Sequence, residues 1–484
     1  MPLSSVITAT IMLLAILPVR GLDTGHDESP ASISPRWFLL QELTRPPGLF
    51  VWETLMELER CDAERLRDLA REVRQAQFHG IPLMAAPLVT EAAAERDLAG
   101  AVTDILADMQ KVNSTATPRA KIESDAVLLA CRMAGRDWKK LLELLQKVKP
   151  DPAFWLPLAA DIELAPEKLP AYLTAASVGM NERRLPDIAG RVLWTTVKQH
   201  GTAATAKQLK AIKNRPVRQV AEVVLRELKK APPLPDSPIP DKSPPLKSVE
   251  LRRLLALDTS PGEPRRIPFA LLRAVRRFSP AEALSLAEEL PRDPAPPGHW
   301  LAWMLFMRAA EGDPVAATTV AVETGGQLIR AGQATASLYA LRQELDADTA
   351  LREVRDITSP DAQRQAMGGI LTGRTAQEFI LKEHGNPLLA LATQTKLPAA
   401  YWRAGLCRAA TSGGGIAALQ QAEHLPWEPP IGRAMLQEDI IKAWALTDLP
   451  SLQTWAAKLT NPDEISPVTA ALVFLKPLLA QEPQ

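Results

Sequence analysis

The sequence predicts an all-α protein, an α-solenoid of helical hairpins in two arms joined by a proline-rich linker. Three observations predict this class. The apolar residues are mainly Leu and Ala, and residues that favour strands are scarce, with 3 Tyr and 9 Phe among 484 residues. A sequence pattern that is typical of two helices separated by a short break recurs about every 34 residues in the second half. A stretch in which seven of fifteen residues are Pro divides the chain.

The first 21 residues resemble an export signal. Val6 to Val19 is a mostly apolar run of 14 residues, which is short for a bilayer span of about 20 residues and typical of a signal-peptide core. We therefore expect a signal peptide over 1–21, export to the periplasm or cell envelope, and a disordered stretch over 22–35. No Lys or Arg precedes the run, so an uncleaved membrane anchor is the alternative.

Residues 36–230 are predicted to form an N-terminal helical arm. Trp52 precedes Asp62 by ten residues, an offset that returns in the second arm. More degenerate copies of the repeat are expected through Asp137 and from Trp194 to Gly201.

The linker covers residues 231–248. Its proline density excludes helix and central strand and favours extended polyproline II, which acts as a semi-rigid spacer. The C-terminal helical repeat arm follows over residues 249–480.

Each repeat of the second arm is expected to carry an anchor residue in the turn between its helices. The anchors are Ser279, Asp313, Asp346, Thr372, Gly414 and Asp448. Their spacings are 34, 33, 26, 42 and 34 residues. Ser or Asp at an anchor would cap the second helix, and Pro favours the next position. A small residue four positions later would let the helices approach closely: Ala283, Ala317, Ala350, Ala376 and Ala418. Phe269 and Trp303 precede their anchors by ten residues, and we expect such aromatics to be core.

Two stretches carry a family resemblance: Trp303…Asp313-Pro314-Val-Ala-Ala317 and Ala443-Trp444-Ala445…Asp448-Leu449-Pro450. They resemble exported bacterial helical-repeat proteins with tandem Trp-Ala and Asp-Pro-x-x-Ala motifs, a tetratricopeptide- or HEAT-like solenoid. The resemblance covers roughly residues 265 to 460 and implies helical hairpins without a known activity. It weakens around Thr372, and the Pro after Asp448 comes one position late.

The balanced charge of the chain conceals a basic region. Residues 198–277 hold 18 Lys and Arg against 7 Asp and Glu, a net charge of +11, so the remaining residues sum to −11. A solvated basic surface is one interpretation, and a docking site for an anionic partner is the other. The candidate residues for this docking site are Lys207, Lys210, Lys213, Arg265, Arg266, Arg276 and Arg277. The spacing predicts that Lys207, Lys210 and Lys213 share one helical face.

The patterns typical of enzymes are missing from the sequence. Its six His are too far apart for a His-x-x-x-His metal pair, and no Gly-x-Ser-x-Gly elbow occurs. Cys61, Cys131 and Cys407 are too few for a disulfide framework and are expected to pack as small apolar residues. Gly413-Gly414-Gly415 lacks a following Lys-Ser/Thr and suits a turn between helices. No catalytic residue, cofactor or metal ligand is therefore predicted.

Three functions fit these patterns. The leading hypothesis is a non-enzymatic scaffold or binding protein of the cell envelope, which holds a protein or an anionic envelope polymer. The first alternative is a helical toroid that acts enzymatically on polysaccharide, with paired carboxylates in an aromatic cleft. The second is a membrane-tethered scaffold, which requires an uncleaved N-terminal helix. Nucleic acid is not expected as a partner, because it would need a cytoplasmic chain and the basic region has no clear base-stacking module.

Overall fold

A computed structural model describes most of the chain between residues 33 and 479. The described residues are 33–111, 117–148, 154–155, 158–159, 162, 164–177, 185–228, 249–258, 269–290, 299–324, 335–342, 346–373, 397, 399–424, 430–459 and 462–479. The predicted signal peptide, most of the predicted disordered stretch, the linker over 231–248, Arg265, Arg266 and Ala376 lie outside these residues.

The described residues are α-helical with short turns and contain no strand, which confirms the all-α class. The helices of the first half are α1 (Pro35–Thr44), α2 (Pro47–Arg60), α3 (Ala63–Phe78), α4 (Ala86–Arg96), α5 (Leu98–Lys111), α6 (Thr117–Arg136), α7 (Trp138–Val148), α8 (Leu169–Ser177), α9 (Leu185–His200), α10 (Thr202–Leu209) and α11 (Arg215–Leu228).

The helices of the second half are α12 (Val249–Asp258), α13 (Phe269–Val275), α14 (Pro280–Glu288), α15 (His299–Ala310), α16 (Pro314–Thr324), α17 (Ala347–Asp356), α18 (Pro360–Thr372), α19 (Ala399–Ala409), α20 (Gly415–His424), α21 (Pro430–Thr447), α22 (Leu449–Ala456) and α23 (Pro462–Leu479). Residues 335–342 are also helical. In the part of the chain that is described, no helix has the length and apolar character needed to cross a membrane.

The chain divides into two compact units. The first comprises the described residues within Met1–Glu57 and Lys242–Gln484, and the second those within Leu58–Asp241. This division differs from the predicted arms, because residues 33–57 group with the second half of the sequence. The physical reason is packing within the first unit: α1 lies against α19 and α21, and the rings of Trp52 and Trp303 meet edge to face at 5.6 Å.

Most anchor residues begin a helix as the sequence predicts. Ser279, Asp346 and Asp448 are N-caps whose side chains accept a hydrogen bond from the backbone three residues on, and Asp313 accepts from the Ala316 N–H at 2.9 Å. The N-cap Asp62 of α3 accepts from the Arg65 N–H at 2.8 Å. A side-chain oxygen at this position satisfies a backbone N–H that has no partner within the helix.

Thr372 departs from this pattern. It is the last residue of α18, and its buried hydroxyl donates to the carbonyls of Gly368 and Gly369 at 3.2 and 2.9 Å. The side chain therefore bonds backward into its own helix and caps nothing that is described.

The residue four positions after an anchor is buried in every copy whose side chain is described. These residues are Ala283, Ala317, Ala350, Ala418 and, after Asp448, Leu452. A β-carbon added at Gly415 would overlap the Trp444 ring, so the predicted Gly-rich turn also serves close packing. Gly413 has φ 88°, a left-handed conformation that favours glycine.

The aromatic residues expected in the core are mostly buried. Trp52, Trp303, Trp402 and Trp444 are buried in the first unit, whereas the side chain of Phe269 lies outside what is described. Trp194 of the second unit is the exception, because it is 45% exposed.

Arginines join neighbouring hairpins in the first unit. The Nε of Arg308 donates to the Phe278 carbonyl at 2.9 Å, and the Nη1 of Arg408 donates to the Thr372 carbonyl at 3.0 Å. Carbonyls near a helix C-terminus lack a partner within the helix and carry the negative end of its dipole. Arg36 of α1 bonds in the same way, through its Nε, to the Leu446 carbonyl at 3.1 Å.

Candidate functional site

The predicted basic residues are divided between the two units. Lys207, Lys210 and Lys213 lie in the second unit, and Arg276 and Arg277 lie in the first. All five are exposed. Arg265 and Arg266 are outside the described residues. The candidate site that the structure describes is therefore the segment 185–228, formed by α9, α10 and α11; we call it the basic segment.

A tight turn joins α9 to α10. Gly201 is the N-cap of α10 with φ 81°, a conformation that an L side chain rarely adopts. The hydroxyl of Thr205 donates to the Gly201 carbonyl at 2.9 Å, and Thr205 is buried four residues after the cap. The two helices pack against each other, so α9 and α10 form a hairpin.

The three lysines do not share one helical face. Helix α10 ends at Leu209, so Lys210 is its C-cap and Lys213 lies in the loop before α11. Buried Ile212 anchors this loop, and the Asn214 side chain accepts from the Val217 N–H at 3.3 Å to begin α11. The three-residue spacing would place the lysines on one face only if a single helix continued through Lys213. Helix α10 instead ends at Leu209, and Asn214 begins a new helix.

The basic segment carries excess positive charge. It contains eight Lys and Arg and three Asp and Glu, a net charge of +5. Arg218 pairs with Glu222 at 3.9 Å. Among the described residues, no carboxylate lies within ion-pair distance of Lys207, Lys210 or Lys213. Their positive charge is therefore available to an anionic ligand.

An exposed aromatic residue lies in the same segment. The indole of Trp194 is 45% exposed, and the Nζ of Lys198, one turn further along α9, lies 5.4 Å from the ring centroid. The buried side of α9 is formed by Leu185, Ile188, Ala189, Val192, Leu193 and Thr196. Trp194 lies on the opposite side with Arg191 and Lys198, at spacings of three and four residues.

A second charged cluster, which the sequence analysis missed, joins α3 to α5 and the residue before it. Arg67 donates through its Nε to Asp104 at 2.8 Å and through its Nη1 to Asp97 at 3.1 Å. Arg74 donates to Asp108 at 2.9 Å, and this pair is buried. The sequence does contain a signal for this cluster, because residues of opposite charge recur at helical spacing in two segments. The arginines of α3 are Arg67, Arg71 and Arg74, and the aspartates in and before α5 are Asp97, Asp104 and Asp108.

The electrostatics of this cluster follow from burial. Desolvation lowers the pKa of Arg74, although the neighbouring Asp108 carboxylate opposes the change. The pKa of Arg67, which is more exposed, is raised by its hydrogen bond to Asp104. Each arginine faces a carboxylate, so the cluster fastens the two helices and offers little free charge to a ligand.

Other reactive groups do not assemble into a centre. No group of three or more His, Cys, Asp or Glu in the described ranges could hold a metal ion. Cys61 and Cys407 are buried, and Cys131 is half-buried. Burial raises the pKa of the Cys407 thiol, which keeps it protonated and poorly nucleophilic.

Comparisons with protein-family models, with curated proteins and with solved structures find no match to this chain.

Proposed function

We propose that this protein is a non-enzymatic helical-repeat scaffold of the cell envelope, an α-solenoid in two arms, which binds an anionic partner at the basic segment. The observation that carries the proposal is the set of exposed lysines, Lys207, Lys210 and Lys213, which have no carboxylate within ion-pair distance among the residues that the structure describes. The apolar run from Val6 to Val19 supports export. The resemblance of the Trp-Ala and Asp-Pro motifs to exported helical-repeat proteins supports the same compartment.

The packing order of helices supports the solenoid. In the second unit, α3 packs against α4 and α5, α4 against α5 and α6, and α5 against α6 and α7. In the first unit, α19 packs against α20 and α21, and α21 packs against α22 and α23. Contact with both the next helix and the one after it is the pattern of stacked hairpins.

Extended stacks of hairpins present long surfaces for binding. Charged residues on such a surface attract an oppositely charged ligand over several ångströms, and dissolved salt screens this attraction. A cation near an anionic surface contributes about 1 kcal/mol. Three lysines acting together would therefore change affinity by on the order of 100-fold at low salt.

The test measures binding of the full chain to immobilised polyglutamate as the salt concentration is varied. Changing Lys207, Lys210 and Lys213 to Glu removes three attractive charges and adds three repulsive ones, so it should lower affinity by more than about 100-fold at low salt and flatten the salt dependence.

A matched control is the change of Lys139, Lys140 and Lys147 to Glu. These three lysines of α7 are exposed, lie in the same unit, and alter the net charge by the same amount. If both triple variants lose affinity equally, the effect is one of net charge alone and the proposed site is wrong.

A further inference from the structure

We infer that the anionic partner is a polysaccharide with acidic sugars, and that Trp194 stacks on a sugar ring while the lysines of the basic segment bind its carboxylates. This inference rests on the proposed function and names the class of partner. The starting observation is an indole that is 45% exposed within a surface of net charge +5.

Lys207 and the ring of Trp194 belong to residues at comparable levels of one hairpin. Trp194 is seven residues before Gly201 in α9, and Lys207 is six residues after it in α10. At about 1.5 Å per residue, the two positions lie about 10 and 9 Å from the turn along their helices. Lys198 lies between Trp194 and the turn, so the ring is flanked by positive charge.

The indole of Trp194 is partly exposed, and a neighbouring lysine holds it in place. Lys198 contacts the ring as a cation over its π-system, an arrangement that holds both side chains in place. The exposed remainder of the ring provides a flat apolar surface, and its Nε1 provides a hydrogen-bond donor. The C–H groups of a pyranose ring can pack on such a surface, and a uronic acid adds one carboxylate per sugar.

A protein partner fits this surface less well. The large apolar side chains exposed in the basic segment are Trp194 and Val223. A stable protein interface buries about 800 Å² on each side around an apolar centre from which lysine is depleted. One isolated ring among lysines suits a narrow charged chain better than a broad protein surface.

Single-stranded nucleic acid would also use stacking and positive charge. Proteins that bind it stack successive bases on several aromatic side chains, whereas Trp194 is the one Trp, Tyr or Phe of the basic segment. An acidic polysaccharide therefore fits the basic segment better, and the experiment below measures nucleic-acid binding as well.

The experiment compares binding of the full chain to polygalacturonate, polyglutamate and oligothymidylate at equal ionic strength. Polyglutamate has the carboxylates without the sugar rings. Trp194→Ala should weaken binding to polygalacturonate about three- to tenfold, which corresponds to the usual strength of an aromatic stacking contact. It should leave binding to polyglutamate unchanged, and Trp194→Phe should restore most of the loss.

The control variant is Met435→Ala, which removes another exposed apolar side chain, in the first unit, and should not change binding. Three results would overturn the inference: no binding of polygalacturonate by the wild-type chain, equal effects of Trp194→Ala on both carboxylate polymers, or tighter binding of oligothymidylate than of polygalacturonate. Loss of polyglutamate binding in the triple lysine variant, together with no effect of Trp194→Ala, would preserve the proposed function and reject the polysaccharide.

Discussion

Two stretches of the chain, 63–111 and 269–456, use the same residue types to begin their helices and different chemistry to join them. In the first stretch, Arg67 and Arg74 bind aspartates 30 to 37 residues further along the chain. In the second, tryptophans and small residues pack closely, and Arg308 and Arg408 bind backbone carbonyls of the preceding hairpin.

The difference shows that the turn of a hairpin and the contact between hairpins are specified separately. An N-cap depends on one side chain and the backbone three residues on, so it is local. The contacts between hairpins depend on which helices are neighbours. Ion pairs can form these contacts, and so can closely packed apolar side chains. Each solution makes a different prediction about what weakens the fold.

The largest effect is expected from the aromatic centre of the first unit. Trp303 is fully buried and contacts Trp52 and Trp300 edge to face, with ring centroids 5.6 and 5.7 Å apart. Trp303→Ala should lower the free energy of unfolding by about 3–5 kcal/mol, because it removes a buried ring and leaves a cavity. Urea unfolding followed by circular dichroism measures this change.

Two variants make that result specific. Trp303→Phe keeps a ring and removes an indole N–H that has no acceptor among the described residues, so its cost should be below about 1.5 kcal/mol. Trp194→Ala removes an exposed indole and should change stability by less than about 0.5 kcal/mol. Equal costs for Trp303→Ala and Trp194→Ala would contradict the assignment of the aromatic centre.

The local features of the fold could be predicted from the sequence, and the contacts between hairpins could not. Ser279, Asp346 and Asp448 cap helices as predicted, because a cap, its helix and the buried residue four positions on are all encoded within a few residues. The contact of Arg308 could not be predicted in this way, since its acceptor is a backbone carbonyl 30 residues away. A carbonyl has no sequence signature.

The candidate site was predictable to a similar extent. The composition located the positive charge, and Lys207, Lys210 and Lys213 are exposed, as both a solvated surface and a docking site require. The exposure of Trp194 was not predicted, because a Trp once per helical repeat is usually core. Its position becomes clear only when the buried side of α9 is known.

The second effect concerns the buried ion pair of the second unit. Asp108→Ala should cost about 3 kcal/mol, because it leaves Arg74 buried without its main partner. Asp104, which also favours the charged form of Arg74, keeps the loss at the low end of the usual range. Thermal or urea unfolding at constant salt measures it.

Two comparisons test whether the charge itself is essential. The double variant Arg74→Met with Asp108→Leu should be neutral or stabilising, since well-packed apolar residues avoid the cost of desolvation. Asp68→Ala breaks an exposed pair with Arg71, at 2.9 Å, and should cost no more than about 1 kcal/mol. A loss in the double variant as large as in Asp108→Ala would show that the two hairpins need charge to join.

The smallest effect concerns the feature that both stretches share, the N-cap. The Glu282 N–H donates to the Ser279 hydroxyl, and the Ser279 N–H and hydroxyl both donate to the Glu282 carboxylate, at 2.7 and 2.8 Å. Ser279→Ala should cost about 1 kcal/mol. Ser285→Ala, in the exposed middle of the same helix, should be neutral or slightly stabilising, because Ala is the better helix former.

The cost of Ser279→Ala should also depend on pH. Hydrogen bonds from the backbone N–H of Ser279 and, second, from its hydroxyl hold the pKa of Glu282 below its usual value of 4.5, and Ser279→Ala removes only the second. A carboxylate with a lowered pKa in the folded state stabilises the fold above its unfolded pKa, and this contribution is lost as pH falls through the folded value. The difference in unfolding free energy between wild type and Ser279→Ala should therefore be constant above about pH 5 and shrink as the pH falls below 4.5. A difference that stays constant down to pH 2 would show that the hydroxyl acts only as an acceptor for the backbone and contributes nothing through the Glu282 carboxylate.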